Sequence, residues 1–341
     1  MKKAVFIFLL LGILAGGAFA QVTFGGKAYA GIQLEKPFSD TNKKETVSFT
    51  HRSEGAPKLD FFTIAASEYF GIKLDLTYQA VNENPVSLNG LYGWAYLLDK
   101  SLKLDLGQIS DGKWVSVLDS DHEETFDEIS GFRINYTVPQ VKGLNIGAAF
   151  SAEGLTDEDF DLEKFFKQIV FGASYANALF NTVLAYDLGS NTRMLFGFNF
   201  TGIDDLTSAG IQMKVSNIAT WDNRIYTGEL QLLEKLGYRV VRPFIVSLLL
   251  GQTFYGNPDK DVSMLFNLGA SYKLLPNLTA YVSGEISSPN YFETNKYKIK
   301  PGFEYSLGGL GLLYVEYELE LAQYKMDSYH RFGFGLEILA F

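Results

Sequence analysis

The sequence predicts an all-β fold, a transmembrane antiparallel β-barrel of about 16–18 strands. Three observations support this prediction. Apolar and polar residues alternate along many segments, as they do in strands whose two faces meet different surroundings. The chain holds 28 Phe, 20 Tyr and 33 Gly but only 9 Pro, a composition that favours strands. The links between the alternating segments are, in turn, short and long.

Residues 1–20 are predicted to be a cleaved signal peptide. Met1-Lys2-Lys3 is a basic start, Ala4–Leu14 is an apolar run, and Ala18-Phe19-Ala20 is the small-residue pattern of a cleavage site. The alternative is a membrane-anchoring helix, but the apolar run is shorter than the ~20 residues that such a helix needs. We therefore expect residues 21–341 to form one transmembrane barrel domain in the cell envelope.

Charge and cysteine content exclude some classes of protein. The formal net charge is -10, and an acidic balance argues against a nucleic-acid partner. The chain has no Cys, so it is neither a disulfide scaffold nor a lipoprotein anchored through a cysteine.

Strands are predicted in chain order wherever the period-two alternation holds. In Phe70–Ala80, for example, Ile72, Leu74 and Leu76 share one face, while Lys73 and Asp75 share the other. Further examples among the predicted strands are Val22–Leu34, Pro57–Ala66, Leu102–Gln108, Gly131–Val138, Leu144–Ser151, Arg193–Thr201, Thr207–Val215, Val241–Leu250, Ser263–Leu274, Leu278–Ser287, Tyr297–Tyr305, Gly311–Leu321 and Arg331–Phe341.

The links decide between a soluble sandwich and a membrane barrel, because both show the same alternation. Tight links are expected near Ser67-Glu68, Asp99-Lys100-Ser101, Pro139–Lys142, Leu275-Pro276-Asn277 and Gly308-Gly309, and long ones at Glu35–Ala56, Ser110–Ser130 and Glu153–Lys164. Short turns on one rim and long loops on the other are typical of transmembrane barrels. Closure also removes the sheet edges. The apolar faces should therefore contact membrane lipid, and the polar faces a wet lumen.

One stretch of the chain resembles the bacterial outer-membrane porins. It runs from "LKLDLGQIS" (Leu102–Ser110) through a long loop to "GFRINYTVPQVKGLNIGAAFS" (Gly131–Ser151), and it is similar to the strand, third external loop and hairpin at the centre of many porins. The resemblance implies an outer-membrane location in a Gram-negative type of envelope and a third loop that folds into the lumen. It also implies outer-membrane lipid as a partner and, as a family expectation, a homotrimer.

The loop that corresponds to this constriction is strongly acidic. The resemblance implies that its carboxylates narrow the pore, although a charge run of this kind is also typical of a solvated surface loop. The acidic residues are Asp111, Asp119, Asp121, Glu123, Glu124, Asp127 and Glu128, against Lys113 alone.

Basic residues on the polar faces of several strands are candidates for the opposite wall of the pore. An acidic loop that faces a basic wall would impose a transverse field on passing solutes. The candidates are Lys27, Lys73, Arg133, Lys298, Lys300 and Arg331. Carboxylates such as Glu304, Glu316 and Glu337 share these faces, so a lumen with assorted charges is the alternative.

No pattern of an enzyme, a metal site or a cofactor site is found. His51, His122 and His330 have no serine and carboxylate in the arrangement that a triad requires. Asp119, Asp121 and Glu123 alternate, but Glu124 and Ser130 occupy the positions where a calcium loop needs Gly and Glu, which leaves only weak divalent binding open. We expect no catalytic residue, no metal and no cofactor.

The function that the resemblance implies is passive diffusion of small hydrophilic solutes and ions through a water-filled lumen. Two alternatives remain open. A substrate-specific transporter with a plugged lumen would need an N-terminal plug, and only Gln21 lies between Ala20 and the first predicted strand. A surface adhesin or structural barrel would act through its external loops, of which Glu35–Ala56 is the first.

Overall fold

The computed structural model describes residues 21–37, 44–52, 55–79, 85–110, 114, 117–118, 129–152, 166–189, 192–202, 205–216, 221–222, 225–226, 228–257, 259–290, 294–323 and 328–338. The strands are β1 (Gln21–Pro37), β2 (Thr46–Ser48), β3 (Lys58–Ala66), β4 (Phe70–Gln79), β5 (Val86–Leu97), β6 (Leu102–Ile109), β7 (Ile129–Thr137), β8 (Leu144–Ser151), β9 (Ile169–Ala176), β10 (Phe180–Asp187), β11 (Arg193–Phe200), β12 (Leu206–Ser216), β13 (Trp221–Asp222), β14 (Ile225–Tyr226), β15 (Glu229–Val241), β16 (Phe244–Tyr255), β17 (Ser263–Leu275), β18 (Leu278–Ser288), β19 (Lys296–Ser306), β20 (Gly311–Ala322) and β21 (Tyr329–Ile338). The predicted signal peptide, residues 1–20, lies outside the described residues.

Eighteen of these strands form one closed antiparallel barrel, which confirms the predicted fold class. Each strand pairs with its neighbours in the chain. The ring closes where Ala28–Pro37 of β1 pairs with Tyr329–Ile338 of β21, while the first part of β1 pairs with β3. The short β2 adds to β1, and β13 and β14 form a separate hairpin. Because the ring is closed, every barrel strand has a neighbour on both sides for its backbone N–H and C=O groups, as a sheet in lipid requires.

Alternation sorts the side chains between the two faces of the barrel. In β4, Phe70, Ile72 and Tyr78 are exposed on the outer side, whereas Lys73 and Asp75 lie on the inner side with their charged groups 3.3 Å apart. Exposed Leu, Ile, Val and aromatic side chains recur on the outer face of nearly every strand. Monomeric soluble proteins rarely expose an apolar surface of this extent, so the outer face suits hydrocarbon. Within the described part of the chain, no helix is long and apolar enough to cross a membrane.

The rims differ in the length of their links, as the sequence predicts. On one rim the strands are joined by residues 67–69, 98–101, 138–143, 177–179, 201–205, 242–243, 276–277 and 307–310. The other rim carries the longer connections, of which residues 110–128 and 152–168 are examples.

Two predicted boundaries are wrong. The first long link does not begin at Glu35, because β1 continues to Pro37 and β2 folds back on it. Glu35 pairs with Arg331 at 2.8 Å and Lys36 pairs with Glu45 at 2.9 Å, so these charges, which indicate a loop in the sequence, belong to paired strands. Val241 ends β15 and does not start β16, because the turn is formed by residues 242–243.

A charge on the outer face is expected to destabilise the barrel. Leu268, in the middle of β17, is exposed outward, so Leu268→Arg should lower the free energy of unfolding by about 2–4 kcal/mol. The measurement is urea unfolding of the protein from lipid vesicles. Asn267→Arg is the control, because Asn267 lies inward beside Glu285, and this variant should stay within about 1 kcal/mol of the native chain. Equal losses in both variants would contradict the assignment of faces.

Glu234 gives a second test of the same assignment. It is exposed on the outer side of β15 between Leu232 and Leu236, opposite Ile211 and Leu250 on the flanking strands. Removing a carboxylate from an apolar belt should stabilise the barrel, so Glu234→Leu is expected to raise the free energy of unfolding by about 1–2 kcal/mol in the same titration. A loss of stability would instead indicate that Glu234 has a polar partner on this face.

Candidate channel lumen

The loop that joins β6 to β7, the third loop on its rim, places hydrophobic side chains inside the barrel. Trp114 and Leu118 are fully buried, and Trp114 belongs to a cluster with Val183 and Ala185 on the inner face of β10. The Lys235 ammonium, from β15, donates a hydrogen bond of 2.6 Å to the Leu118 carbonyl. We call Trp114, Val117 and Leu118 the loop anchor. It holds this part of the loop against the wall formed by β8 to β15.

Glycines on the inner wall make room for the loop anchor. A Cβ added at Gly172 of β9 would overlap the Trp114 indole, and one at Gly147 of β8 would lie 3.1 Å from its far edge. In the same way, a Cβ added at Gly197 would overlap the Val117 side chain, and one added at Gly210 would overlap the Leu118 side chain. A side chain on these inward positions would push the anchor off the wall, so the glycines serve a close approach here and not a turn.

The sequence prediction emphasises the carboxylates of this loop and misses its anchor. All seven predicted constriction residues lie outside the described residues, so their role stays a prediction. They are Asp111, Asp119, Asp121, Glu123, Glu124, Asp127 and Glu128. The sequence signal for the anchor was the presence of Trp114 and Leu118 within an acidic segment, because large apolar side chains favour contact with a nearby apolar surface.

The predicted basic residues face the inside of the barrel, and four of them, Lys73, Lys298, Lys300 and Arg331, pair with carboxylates on the wall itself. Lys300 is 3.4 Å from Glu316, and Lys298 is 3.7 Å from Glu320. Arg331 lies between Glu35 and Glu318, at 2.8 and 2.9 Å. Lys73 pairs with Asp75, and Lys27 lies opposite Asp60 in the register of β1 and β3. The wall is thus a ladder of ion pairs on β18 to β21 and β1.

Arg133 differs from the other basic residues because it is fully buried. Its guanidinium makes two contacts of 2.9 Å with Asp105 on the neighbouring strand β6, and the Lys103 ammonium reaches the other oxygen of Asp105 at 2.7 Å. Lys103 also lies 5.4 Å from the centre of the Trp94 ring. Arg133 therefore joins strands inside the wall and offers no charge to the open lumen.

A second inward element comes from the first link and is absent from the sequence prediction. After β2 the chain continues along β1, with the Thr50 amide donating to the Gly31 carbonyl at 3.0 Å, and then turns inward. His51 is fully buried, 5.3 Å from the Tyr29 ring and 5.2 Å from the Tyr314 ring. We call Phe49, Thr50, His51 and Arg52 the Arg52 arm.

The guanidinium of Arg52 lies in a cage of carboxylates and tyrosines from four strands. It is 2.8 Å from Glu304, 3.2 Å from Glu337 and 3.9 Å from Glu316. It also donates to the Tyr281 hydroxyl at 3.3 Å, and its centre lies 4.3 Å above the Tyr314 ring. Burial by itself would lower the pKa of Arg52, but the hydrogen bond to Glu304 and the charges around it outweigh burial and raise the pKa above its ordinary value. The cation is therefore fixed on the wall.

Other chemistry is not seen among the described residues. In that part of the chain, no group of three or more metal-ligating side chains is arranged to hold an ion. His51 contacts Glu337 at 3.2 Å, and His330 contacts Tyr317, both as structural pairs. His122 lies outside the described residues.

The glycine positions beneath Trp114 offer a direct test of the loop anchor. In a chain whose only Trp is Trp114 (Trp94→Phe and Trp221→Phe), Gly172→Val should expose the indole to acrylamide, because the new side chain occupies the space of the ring. The contacts of a fully buried Trp side chain contribute about 3–5 kcal/mol. Their loss should therefore free this part of the loop. The measurement is fluorescence quenching.

Gly284→Val is the matched control, since a Cβ at Gly284 has no atom within 4 Å. Its quenching should equal that of the parent chain. Equal quenching in the Gly172→Val chain would show that Trp114 is not seated on β9.

Comparison with known proteins gives a consistent likeness in structure. No family model and no curated protein matches the sequence. The structure matches OccAB3 of Acinetobacter baumannii with a TM-score of 0.63 at 10% identity, over 94% of this chain and 99% of that one. The BenF-like porin of Pseudomonas fluorescens gives 0.62 at 11% identity, over 95% and 100%, and OprD of Pseudomonas aeruginosa gives 0.58 at 9%, over 94% and 95%. The chain therefore has the closed barrel fold of the outer-membrane porins.

Proposed function

We propose that this chain is a porin of the outer membrane, through which small hydrophilic solutes and ions diffuse passively. The observation that carries the proposal is the closed 18-stranded ring with an apolar outside and a charged inside. Barrels of 16 to 18 strands leave an aqueous channel, because their side chains cannot fill the interior. The likeness of the fold to porins supports the same function.

The lumen also supports discrimination among solutes. The loop anchor and the Arg52 arm both lie inside the barrel, and ion pairs line the wall between β18 and β1. Pores select among solutes by means of rings of charged side chains and narrow passages. Because Lys73, Lys298, Lys300 and Arg331 are paired with carboxylates on the wall, we infer that the acidic third loop is the main unbalanced charge and that the pore prefers cations.

The alternatives from other classes are weaker. A plugged, substrate-specific transporter would need chain that fills the lumen, and an adhesin would act through its outer loops whether or not it conducts. A channel must conduct. Stepwise, ohmic current from purified protein in a planar bilayer is therefore the decisive measurement. A well-folded barrel that gives no current would overturn the proposal and favour the adhesin.

Neutralising the third loop should lower cation selectivity. In the variant Asp119→Asn, Asp121→Asn, Glu123→Gln and Glu124→Gln, four negative charges are lost, so the reversal potential in a salt gradient should move toward that of a non-selective pore. The control removes four charges from exposed rim positions, at Glu45, Glu68, Asp259 and Asp261, and should leave the reversal potential nearly unchanged. Identical potentials in the loop variant and the native chain would place these carboxylates outside the conducting path.

A further inference from the structure

We propose that the Arg52 arm is a second constriction of the lumen, and that Arg52 is the residue that fixes it in place. The proposal rests on the porin function proposed above and names a residue that would set the size limit of the pore. Three observations carry it: the position of the arm across from the loop anchor, the seat that the wall provides for it, and the cage around its guanidinium.

The arm and the loop anchor reach into the lumen from opposite sides. The anchor packs on β10, whose inner face carries Val183 and Ala185, and the arm is held by Glu337 of β21. In a ring of 18 strands, β10 and β21 are nine strands apart in either direction. Gly172, which seats Trp114, lies in the middle of β9, and Glu316, beside Arg52, lies in the middle of β20. Both elements therefore narrow the lumen well inside its rims.

The wall is shaped to receive the arm. Inward-facing glycines at Gly31 of β1 and Gly335 of β21 border the Tyr314 ring, and a Cβ at either position would lie within 2.7 Å of that ring or its hydroxyl. The Tyr314 ring can therefore lie flat on the wall, where it accepts the Arg52 amide hydrogen on its hydroxyl at 3.0 Å and supports the guanidinium. This arrangement matches the glycine seats beneath the loop anchor.

The cage explains why the residue at position 52 is Arg. The guanidinium fork contacts Glu304 and Glu337, which lie on β19 and β21, and its flat face meets Tyr314. Lys has one ammonium and no flat face, so it cannot make these contacts together. The polar contacts involve charged groups that are only partly exposed to water, where charge-assisted hydrogen bonds are stronger than ordinary ones. Arg52 thus acts by positioning the arm.

The test compares Arg52→Ala with Lys300→Gln in liposome swelling and single-channel recording. Both substitutions remove one positive charge beside Glu316, at 3.9 and 3.4 Å, but Lys300 lies on the wall strand β19 and does not belong to the arm. Arg52→Ala should release the arm, so conductance should rise and neutral sugars that the native channel excludes should enter severalfold faster. Both variants should shift the reversal potential toward cations, whereas only Arg52→Ala should move the size limit.

Two further variants and a folding control separate positioning from a loss of folding. The double variant Glu304→Gln and Glu337→Gln keeps Arg52 but removes its closest carboxylates, and it should widen the size limit as Arg52→Ala does. Arg52→Lys should fall between the native chain and Arg52→Ala. Heat-dependent mobility in detergent gels verifies that each barrel has folded.

The closing experiment uses the absence of cysteine in the native chain. Gly55, which pairs with His51 of the arm, precedes Ala56 in the chain. A single thiol introduced by Ala56→Cys should therefore react with a bulky, membrane-impermeant reagent, and the reaction should reduce the current of the open channel. Current that is unaffected by complete reaction, or a native size limit in Arg52→Ala, would overturn the constriction while leaving a conducting porin. A barrel without any current would instead overturn the porin function itself.

Discussion

The pairing of β1 with β21 is the interaction on which the rest of the structure depends. Ten registered residue pairs join Ala28–Pro37 to Tyr329–Ile338, so the two edges of the sheet satisfy each other's backbone groups. An open sheet in hydrocarbon would leave two rows of unpaired N–H and C=O groups, each of which costs several kcal/mol. Closure also creates an inside. Once it exists, the alternation of each strand assigns every side chain either to the outer face or to the lumen.

An interior bounded by eighteen strands is too wide for wall side chains to fill, so chain segments that fold inward decide its width. Two such segments are described, and both rest where the wall carries glycine. Gly172 has no side chain, so the Trp114 indole can pack directly on the backbone of β9. Gly335 leaves the same space for the Tyr314 ring, which in turn contacts the Arg52 guanidinium. A side chain at either glycine would thicken the wall and push the inserted segment further into the lumen. The inner glycines therefore help to set the width of the lumen.

The features that could be predicted from the sequence are those with a local cause. The period-two pattern of Phe70–Gln79 assigns Lys73 inward without any knowledge of neighbouring strands, and the link lengths identify a barrel. The site depends on contacts between distant residues. Nothing near Arg52 in the sequence indicates Glu304 or Glu337, and nothing near Trp114 indicates Gly172. The prediction for Glu35 is wrong for the same reason, because its partner Arg331 is 296 residues away in the sequence. Lys36 is compatible with a strand because it pairs with Glu45, on the segment that folds back beside β1.

The ion pairs of the wall give the lumen a particular electrostatic character. The carboxylates Glu316, Glu318 and Glu320 are buried, while their Lys and Arg partners are partly exposed. The attraction within these pairs is offset by the cost of desolvating the charges, so the ladder contributes mainly through the field that it presents. Opposite charges about 3–4 Å apart form dipoles whose field decays quickly in water, and salt screens it over about 10 Å. Such a wall offers a solute alternating contacts of both signs at short range. In the proposed pore, long-range selection would be left to charges without a nearby partner, so its width and its sign preference would depend on different residues.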